Sequence, residues 1–299
     1  MTYIIENANI ICQQTIKTTS FLINQDRIAS VQASFKRLNH MRMNVSPFIM
    51  TPTFVVYNQN ISEKKSFQET KNYLIDQFIK KGCTTILTTA EMNYEFEFQA
   101  AIKRKKASFN TSPIDYIVAV KVPVRMLTPS FIRKCKKEKV PAIFLSIDRP
   151  DELLSVPWGW IRDSLFPYNC PIIPVFSVKQ EKEQQQCRDV WKKIVANEKI
   201  PTLVNDISEM MPICKQDLAK MGIYPLKANL LQGGEVSYNL YNLDLEGIPV
   251  EDFELYDYHY DKLMITVHRG KVIRADEKVL FRSGFGEHVT INKPSFYVL

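Results

Sequence analysis

The chain has 299 residues, of which 45% are apolar and 24% charged, and its formal net charge is +7. This composition is that of an ordinary globular protein with a sizeable core, which excludes a disordered chain. The longest apolar runs, such as residues 142–147 and 171–176, are far shorter than the roughly 20 residues of a membrane-spanning helix. The first residues carry no basic segment ahead of an apolar block, so we expect no secretory signal, no membrane association and a cytoplasmic location.

Cysteine spacing and the distribution of positive charge exclude two further classes of site. The six cysteines include no CxxC pair and no neighbouring histidine, so they are expected to be reduced thiols outside any zinc site. Positive charge is concentrated in residues 103–106 and 133–139, each near the end of a predicted helix, where cations complement the helix dipole. Nucleic-acid binding would need a continuous basic face, so it is the weakest of the functions considered.

The N-terminal region alternates apolar and polar residues over 3–12 and 20–32, which predicts half-buried strands. After Pro52, short apolar runs alternate with charged helical stretches, the pattern of a parallel sheet covered by helices. The predicted strands of this central part are residues 53–59, 84–89, 115–122, 142–147, 171–178 and 202–206. Its predicted helices are residues 67–80, 94–105, 128–137, 151–165, 181–197 and 208–221.

A β pattern returns from Leu226 onward, over residues 229–244 and 263–281. We therefore predict a β-sandwich built from both chain ends, residues 1–51 and 226–299, beside a central domain of residues 52–225. That centre has 174 residues, whereas a full eightfold barrel takes about 250. The predicted fold class is α/β, a shortened or distorted TIM-like (β/α) barrel plus a small β-sandwich.

The order of segments at the N-terminus resembles the opening of the amidohydrolase superfamily. Residues 3–11, 20–32 and 49–60 read YIIENANII, SFLINQDRIASVQ and IMTPTFVVYNQN. In amidohydrolases a strand and a strand ending in aspartate-glycine-arginine-isoleucine precede a proline-glycine-phenylalanine-isoleucine-aspartate-x-histidine-x-histidine motif. The resemblance covers about 60 residues here.

The C-terminal part is similar to the cyclic-amidohydrolase branch, the dihydroorotases and hydantoinases. Residues 218–244 contain the turn GIYPLK ahead of a predicted strand, and residues 265–273 read ITVHRGKVI. The resemblance implies a distorted TIM barrel beside a small β-sandwich. It also implies one or two divalent metals, held by the first-strand histidines, a carboxylated lysine or glutamate, two more histidines and a final aspartate, which activate water.

The sequence departs from this pattern at the metal ligands. Asn58 and Asn60 stand at the two histidine positions of the first strand, and Val56 stands at the aspartate position. The four histidines of the chain lie outside residues 52–225; they are His40, His259, His268 and His288. We therefore predict no metal, no other cofactor and no catalytic residue of the family's kind.

Polar residues at predicted strand ends are candidates for a remnant pocket, because the carboxyl ends of barrel strands face the functional site. Asp206 could stand where the family's final aspartate acts, although a role in capping the following helix is favoured for such acidic residues, and for Asp148 in particular. The full set of candidates is Asn58, Asn60, Glu91, Lys121, Asp148 and Asp206.

Aromatic residues concentrate in residues 157–168 and 254–263. Tryptophan and tyrosine are typical of surfaces that are apolar yet able to hydrogen-bond, so Trp158 and Trp160 are candidates for an interface or a pocket. Packing in the core is an equally strong alternative for these aromatic residues.

The leading hypothesis is a protein with an amidohydrolase-like fold that has lost metal-dependent hydrolysis and acts as a scaffold or interaction module, as a homo-oligomer or with a protein partner. One alternative is a metal-independent hydrolase that uses Glu91, Lys121, Asp148 or Asp206 on a small cyclic amide or nucleobase-like ligand. The weaker alternative is nucleic-acid binding through the basic clusters. A fold can outlast the site it carried, which allows the first hypothesis.

Overall fold

The structure is a computed structural model that describes residues 1–12, 15–63, 66–178, 180–242 and 252–295. The strands of these residues are β1 (Thr2–Cys12), β2 (Thr15–Asn24), β3 (Arg27–Gln32), β4 (Met41–Asn44), β5 (Ile49–Pro52), β6 (Phe54–Tyr57), β7 (Cys83–Glu91), β8 (Asp115–Pro123), β9 (Ile143–Ile147), β10 (Ile172–Phe176), β11 (Tyr238–Tyr241), β12 (Leu263–His268), β13 (Lys271–Ala275) and β14 (Lys278–Val279).

The α-helices of the same residues are α1 (Phe67–Gln77), α2 (Phe98–Ala107), α3 (Pro129–Lys137), α4 (Pro150–Leu154), α5 (Trp158–Leu165), α6 (Glu181–Glu198), α7 (Lys215–Lys220) and α8 (Asp252–Asp257). Short 3₁₀ helices are Asn60–Glu63, Ile79–Lys81, Glu95–Glu97, Val124–Met126 and Tyr260–Lys262. None of the described helices is long and apolar enough to cross a membrane.

A five-stranded parallel sheet forms the centre of the described structure, with β6 to β10 side by side in chain order. Both faces are covered, and β6, β8, β9 and β10 are mostly apolar, as buried parallel strands are, whereas β7 contains four buried threonines. Ile143 and Leu145 of β9 pack towards the helices, whereas Phe144 points to the opposite face, which we call the concave face. The sheet is therefore a curled half-barrel, and the shortened (β/α) architecture predicted from chain length is observed.

The chain after α6 covers the concave face. Met210 donates its backbone N–H to Tyr57 O at 2.9 Å and Ile213 to Val55 O at 2.9 Å, so this segment runs along the free edge of β6. Apolar side chains that follow it, including Met221 and Ile223, pack against the concave face. The interior of the half-barrel is consequently an apolar core.

Two predicted elements of this segment were wrong. Residues 202–206 are not a strand, because Val204 donates its backbone N–H to the Asp217 carboxylate at 2.9 Å instead of to a neighbouring strand. Residues 208–221 are helical only at α7, because Met210 has a φ of 64° and Pro212 lacks an N–H. The predicted helix over residues 151–165 is likewise divided into α4 and α5 at Pro157, which precedes Trp158.

The two chain ends meet in a second sheet, which has nine strands among the described residues and is mostly antiparallel. It is one continuous hydrogen-bonded sheet, because β5 of the N-terminal part pairs with β11 of the C-terminal part. Ile28 donates its backbone N–H to Gly234 O at 2.9 Å, so the sheet curls until β3 approaches the segment before β11. Of the predicted strand over residues 229–244, only Tyr238–Tyr241 is regular, and Leu243 and Asp244 lie outside the described residues.

Asn239 joins the two sheets. Its side-chain amide, in the nine-stranded sheet, donates to the carbonyl of Gly82 at 3.0 Å, immediately before β7. Gly82 has a φ of 79°, and a Cβ added there would lie 2.5 Å from the Asn239 amide nitrogen. Glycine is needed at this position both for its backbone conformation and for the close approach of Asn239.

We expect Gly82→Ala to lower the free energy of unfolding by at least about 1–2 kcal/mol, the cost of a left-handed residue with a Cβ, to which the clash with Asn239 adds. Gly159→Ala is the matched control, since Gly159 lies in α5 with nothing within 4 Å of an added Cβ. The control should leave stability unchanged or raise it by up to about 1 kcal/mol. Urea unfolding of the three proteins measures both effects, and equal stability of the two variants would contradict the role of Gly82.

Candidate functional site

Polar side chains meet at the carboxyl ends of β6, β7 and β8. Lys121 Nζ lies 2.9 Å from Glu91 Oε1 and donates to Gln59 Oε1 at 3.1 Å, while the Gln59 amide donates to the same Glu91 oxygen. Glu91 and Lys121 face each other because they are paired across neighbouring parallel strands. We call Gln59, Glu91 and Lys121 the carboxyl-end cluster.

The position of Gln59 in this cluster is fixed through its backbone. Its carbonyl accepts a hydrogen bond from Lys105 Nζ at 2.8 Å, and its N–H donates to the Glu209 carboxylate at 3.0 Å. A pocket of about 400 Å³ adjoins the cluster between β7 and α2, with Arg104 and Lys105 in its wall. The cluster and its neighbours Glu209, Lys105 and Arg104 thus place two carboxylates and three cationic groups beside an open, polar pocket.

Of the residues predicted at the first-strand motif, neither asparagine belongs to this cluster. Asn58 is 1% exposed and donates its amide to Tyr73 Oη at 2.9 Å and to Met210 Sδ at 3.0 Å. Asn60 is exposed at the start of a 3₁₀ helix. The sequence reasoning missed Gln59, although the alternation of Val55 and Tyr57 on the concave face continues to Gln59.

The other predicted residues are dispersed. Asp148 is exposed in the connection between β9 and α4, and Asp206 is exposed and paired with Arg188 at 2.7 Å. Trp158 is buried and donates its Nε1 to Leu153 O at 2.8 Å, whereas Trp160 is 71% exposed. The structure therefore brings together Glu91 and Lys121 from the predicted set and separates the remaining candidates.

The concave face below the cluster is occupied by aromatic rings. Tyr57 stacks on Phe144 with centroids 4.8 Å apart and an interplanar angle of 13°. Burial raises the pKa of Tyr57 to about 12, so its hydroxyl, 3.4 Å from Thr89 Oγ1, stays protonated at neutral pH. The Tyr57 hydroxyl therefore stays neutral throughout the physiological pH range.

The residues at the carboxyl ends of β6, β7 and β8 do not fit a divalent metal centre of the kind implied by the resemblance. The described side chains here supply the carboxylates of Glu91 and Glu209, the amide of Gln59 and the ammonium of Lys121, without an imidazole. Among the described residues, the carboxylates at these strand ends do not form a group of three clustered ligand atoms. The Lys121 ammonium already neutralises the Glu91 carboxylate, whose charge a metal cation would otherwise neutralise.

A second group of polar side chains, which we call the buried ion network, lies at the opposite, amino-terminal ends of the parallel strands. Lys227 Nζ lies 2.5 Å from Asp115 Oδ2, at the start of β8, and 2.5 Å from Glu235 Oε2. His268, at the end of β12 and fully buried, places Nε2 3.4 Å from Asp115 and Nδ1 3.7 Å from Glu235. The network joins the parallel sheet to the nine-stranded sheet.

Asp115, Glu235 and His268 have the residue types and the spacing of metal ligands. However, the Lys227 ammonium already contacts both carboxylates, so it occupies the place where a cation would neutralise them. Burial alone would raise the pKa of Asp115, but contact with His268 and the charge of Lys227 outweigh it and hold that pKa well below its ordinary value. The network is a structural ion cluster.

The sequence did not predict this network, although the GIYPLK turn contains Lys227 and His268 is one of the four histidines. The available signal was a lysine in an otherwise apolar turn and an aspartate, Asp115, at the head of an apolar strand. Neither residue could be assigned its partner from the sequence, because Lys227 and Asp115 are 112 positions apart.

No family model and no curated protein matches the sequence. Solved structures do match the fold. Over the full length of both chains, similarity is found to a dihydropyrimidinase from Brevibacillus agri NCHU1002, with 10% identity and a TM-score of 0.58, and to a D-hydantoinase, with 12% identity and a TM-score of 0.59. A prolidase complexed with N-methylphosphonate-L-proline matches 92% of this chain and 100% of its own, with 10% identity and a TM-score of 0.55. At these identities the likeness establishes a shared fold, which is the fold that the sequence resemblance implied.

We expect Lys227→Met to lower the free energy of unfolding by about 3–5 kcal/mol, because it leaves two buried carboxylates without their cation. Lys121→Met is the matched control: its partner Glu91 has a side chain that is 52% exposed, so the loss should stay below about 1 kcal/mol. Chemical denaturation at neutral pH measures both values.

The pH dependence of the same unfolding curves provides the check. A carboxyl whose folded-state pKa is depressed contributes stability that is present above its unfolded pKa, about 3.9, and is lost as pH falls through the folded value. Wild-type stability should therefore decline below about pH 4, and less steeply in Lys227→Met. Equal losses in the two lysine variants would show that the network does not hold the sheets together.

Proposed function

We propose that this chain is an amidohydrolase-like protein without metal-dependent hydrolase activity, which acts as a scaffold or protein-interaction module. The observation that carries this proposal is the make-up of the carboxyl strand ends, where Gln59, Glu91 and Lys121 meet without an imidazole among the described side chains. A metal-dependent barrel enzyme carries its metal ligands at these strand ends, above a packed interior.

The sequence supports the same proposal. The central residues 52–225 contain no histidine, and Asn58 and Asn60 stand where the resemblance places the first two ligands. Asn58 also donates to Tyr73 on the helix side of the sheet, away from Glu91. Because function resides in a site and not in a fold, a hydantoinase-like architecture is compatible with a non-enzymatic role.

A metal-independent hydrolase is the second candidate, and the contact between Lys121 and Glu91 at 2.9 Å beside an open pocket favours it. Such a pair could position a small cyclic amide or a nucleobase-like ligand at the strand ends. The pair is weak support for an enzyme, because the Glu91 carboxylate is half exposed and water screens its interaction with Lys121.

We expect no hydrolysis of hydantoin or dihydrouracil above the buffer rate, with or without added Zn²⁺ or Mn²⁺, and less than stoichiometric metal in protein purified without chelators. Ring opening followed by absorbance and elemental analysis measure these outcomes, with a D-hydantoinase assayed in parallel as the positive control. Metal-dependent turnover would overturn the proposal. Turnover without metal that disappears in Glu91→Gln would establish the second candidate instead.

Protein contacts are proposed for the surface of α4 and α5. Trp160 is 71% exposed, and Leu154 and Phe166 are each 69% exposed within the same stretch of chain. Exposed tryptophan is enriched at protein interfaces because its ring buries a large area. We therefore propose that two copies of the chain associate through the region that includes Trp160.

Trp160→Ala should weaken self-association by at least about 1–2 kcal/mol, roughly a tenfold rise in the dissociation constant, as expected for a central interface tryptophan. Phe96→Ala is the control, since Phe96 is 81% exposed but lies ahead of α2. Sedimentation over a range of concentrations measures both. A monomer at all concentrations, or an equal effect of the two variants, would reject this surface.

A further inference from the structure

A cavity of about 260 Å³ lies at the outer edge of β10, between this strand, α6 and residues 202–206. We call it the edge pocket. It is lined by apolar side chains that include Ile173, Phe176, Trp191 and Leu203, with charged groups at its rim. The carboxyl-end cluster and the buried ion network contribute none of its lining residues.

The edge pocket exists because the chain that would form the next strand departs from β10. At the start of β10, Ile172 donates its N–H to Pro201 O at 2.9 Å and accepts from Thr202 Oγ1 at 2.8 Å. Beyond this point Val204 donates to the Asp217 carboxylate, so the chain separates from the strand. The separation leaves the edge pocket open beside Pro174 and Phe176.

The backbone of β10 makes the edge pocket unsuited to an added strand. Since Ile172 directs its N–H outward to Pro201, the alternation of a strand directs the backbone of Pro174 and Phe176 outward as well. Proline has no N–H to offer a neighbouring strand, and proline at such a position blocks edge pairing. The edge pocket therefore suits a small molecule better than a peptide.

The charges at the rim favour an anion. The Arg188 guanidinium lies 4.9 Å above the Phe176 ring and 2.7 Å from Asp206 Oδ2, and Lys192 is exposed beside it. Two cations and one carboxylate leave one positive charge, which matches a monoanion. A guanidinium presents paired donors that match a carboxylate.

Size and lining restrict the ligand further. An apolar cavity of about 150 Å³ is large enough to hold benzene, so the edge pocket has room for one or two fused rings. Trp191, 5% exposed, offers an aromatic surface in its wall. An apolar pocket with a few convergent polar groups is the usual form of a small-molecule site.

We propose that the edge pocket binds a small aromatic carboxylate, with its ring among Phe176, Trp191 and Leu203 and its carboxylate on Arg188. This site is separate from the proposed scaffold role and does not depend on it. Asp206, a candidate for a remnant catalytic pocket in the sequence, acts here by competing with the ligand for Arg188.

Titration calorimetry of the full-length chain with 2-naphthoate tests the proposal. We expect saturable binding at one site, at least tenfold weaker in Arg188→Ala and severalfold tighter in Asp206→Asn, because the latter removes the competing carboxylate. The neutral analogue 2-naphthalenemethanol should bind more weakly than 2-naphthoate. Lys193→Ala is the matched control, since Lys193 is an exposed residue of α6 outside the pocket lining, and it should leave binding unchanged.

Ala196→Trp provides a test that is independent of charge. Ala196 lies exposed in the pocket lining, so a larger side chain should fill the edge pocket and abolish binding without disturbing the core. Absence of saturable binding by the wild type would overturn the proposal. So would binding that Ala196→Trp leaves intact, or an affinity that Arg188→Ala and Asp206→Asn do not change.

Discussion

The Lys227 ammonium lies between the carboxylates of Asp115 and Glu235, at the place where the two sheets of the described structure meet. Asp115 belongs to the parallel sheet, while His268 reaches the same network from the nine-stranded sheet. Removing two carboxylates from water is costly unless a cation and hydrogen bonds compensate them. The relative placement of the two sheets must therefore keep these charged groups together.

The second constraint is the small number of strands. Five parallel strands cannot close a barrel, so the concave face has to be covered by another part of the chain. The segment from Met210 to Ile223 provides this cover and brings apolar side chains against Tyr57 and Phe144. The interior is therefore packed, as it is in a complete barrel. The pockets of the described residues include one beside α2 and one at the edge of β10.

The candidate site was only partly predictable. Glu91 and Lys121 could be placed at strand ends from the apolar runs that precede them, and they do meet. Gln59 was not predicted because the resemblance aligns Asn58 and Asn60 with the ligand positions, and the face on which a residue lies changes with a shift of one position along a strand. The register of β6 against β7 has an irregularity between Phe54 and Val55, which no local pattern indicates.

Sequence patterns alone indicate the β regions at both ends, the βα alternation between them, the shortened centre and the lack of histidine within it. These features are local, because periodicity and residue type act within a few positions of the chain. Contacts between distant segments were needed to show that residues 202–206 leave the sheet, that the interior is filled, and that Lys227 pairs with Asp115 across 112 positions. Such choices depend on which buried groups can be satisfied and packed at the same time, and that condition exists only once distant segments are together.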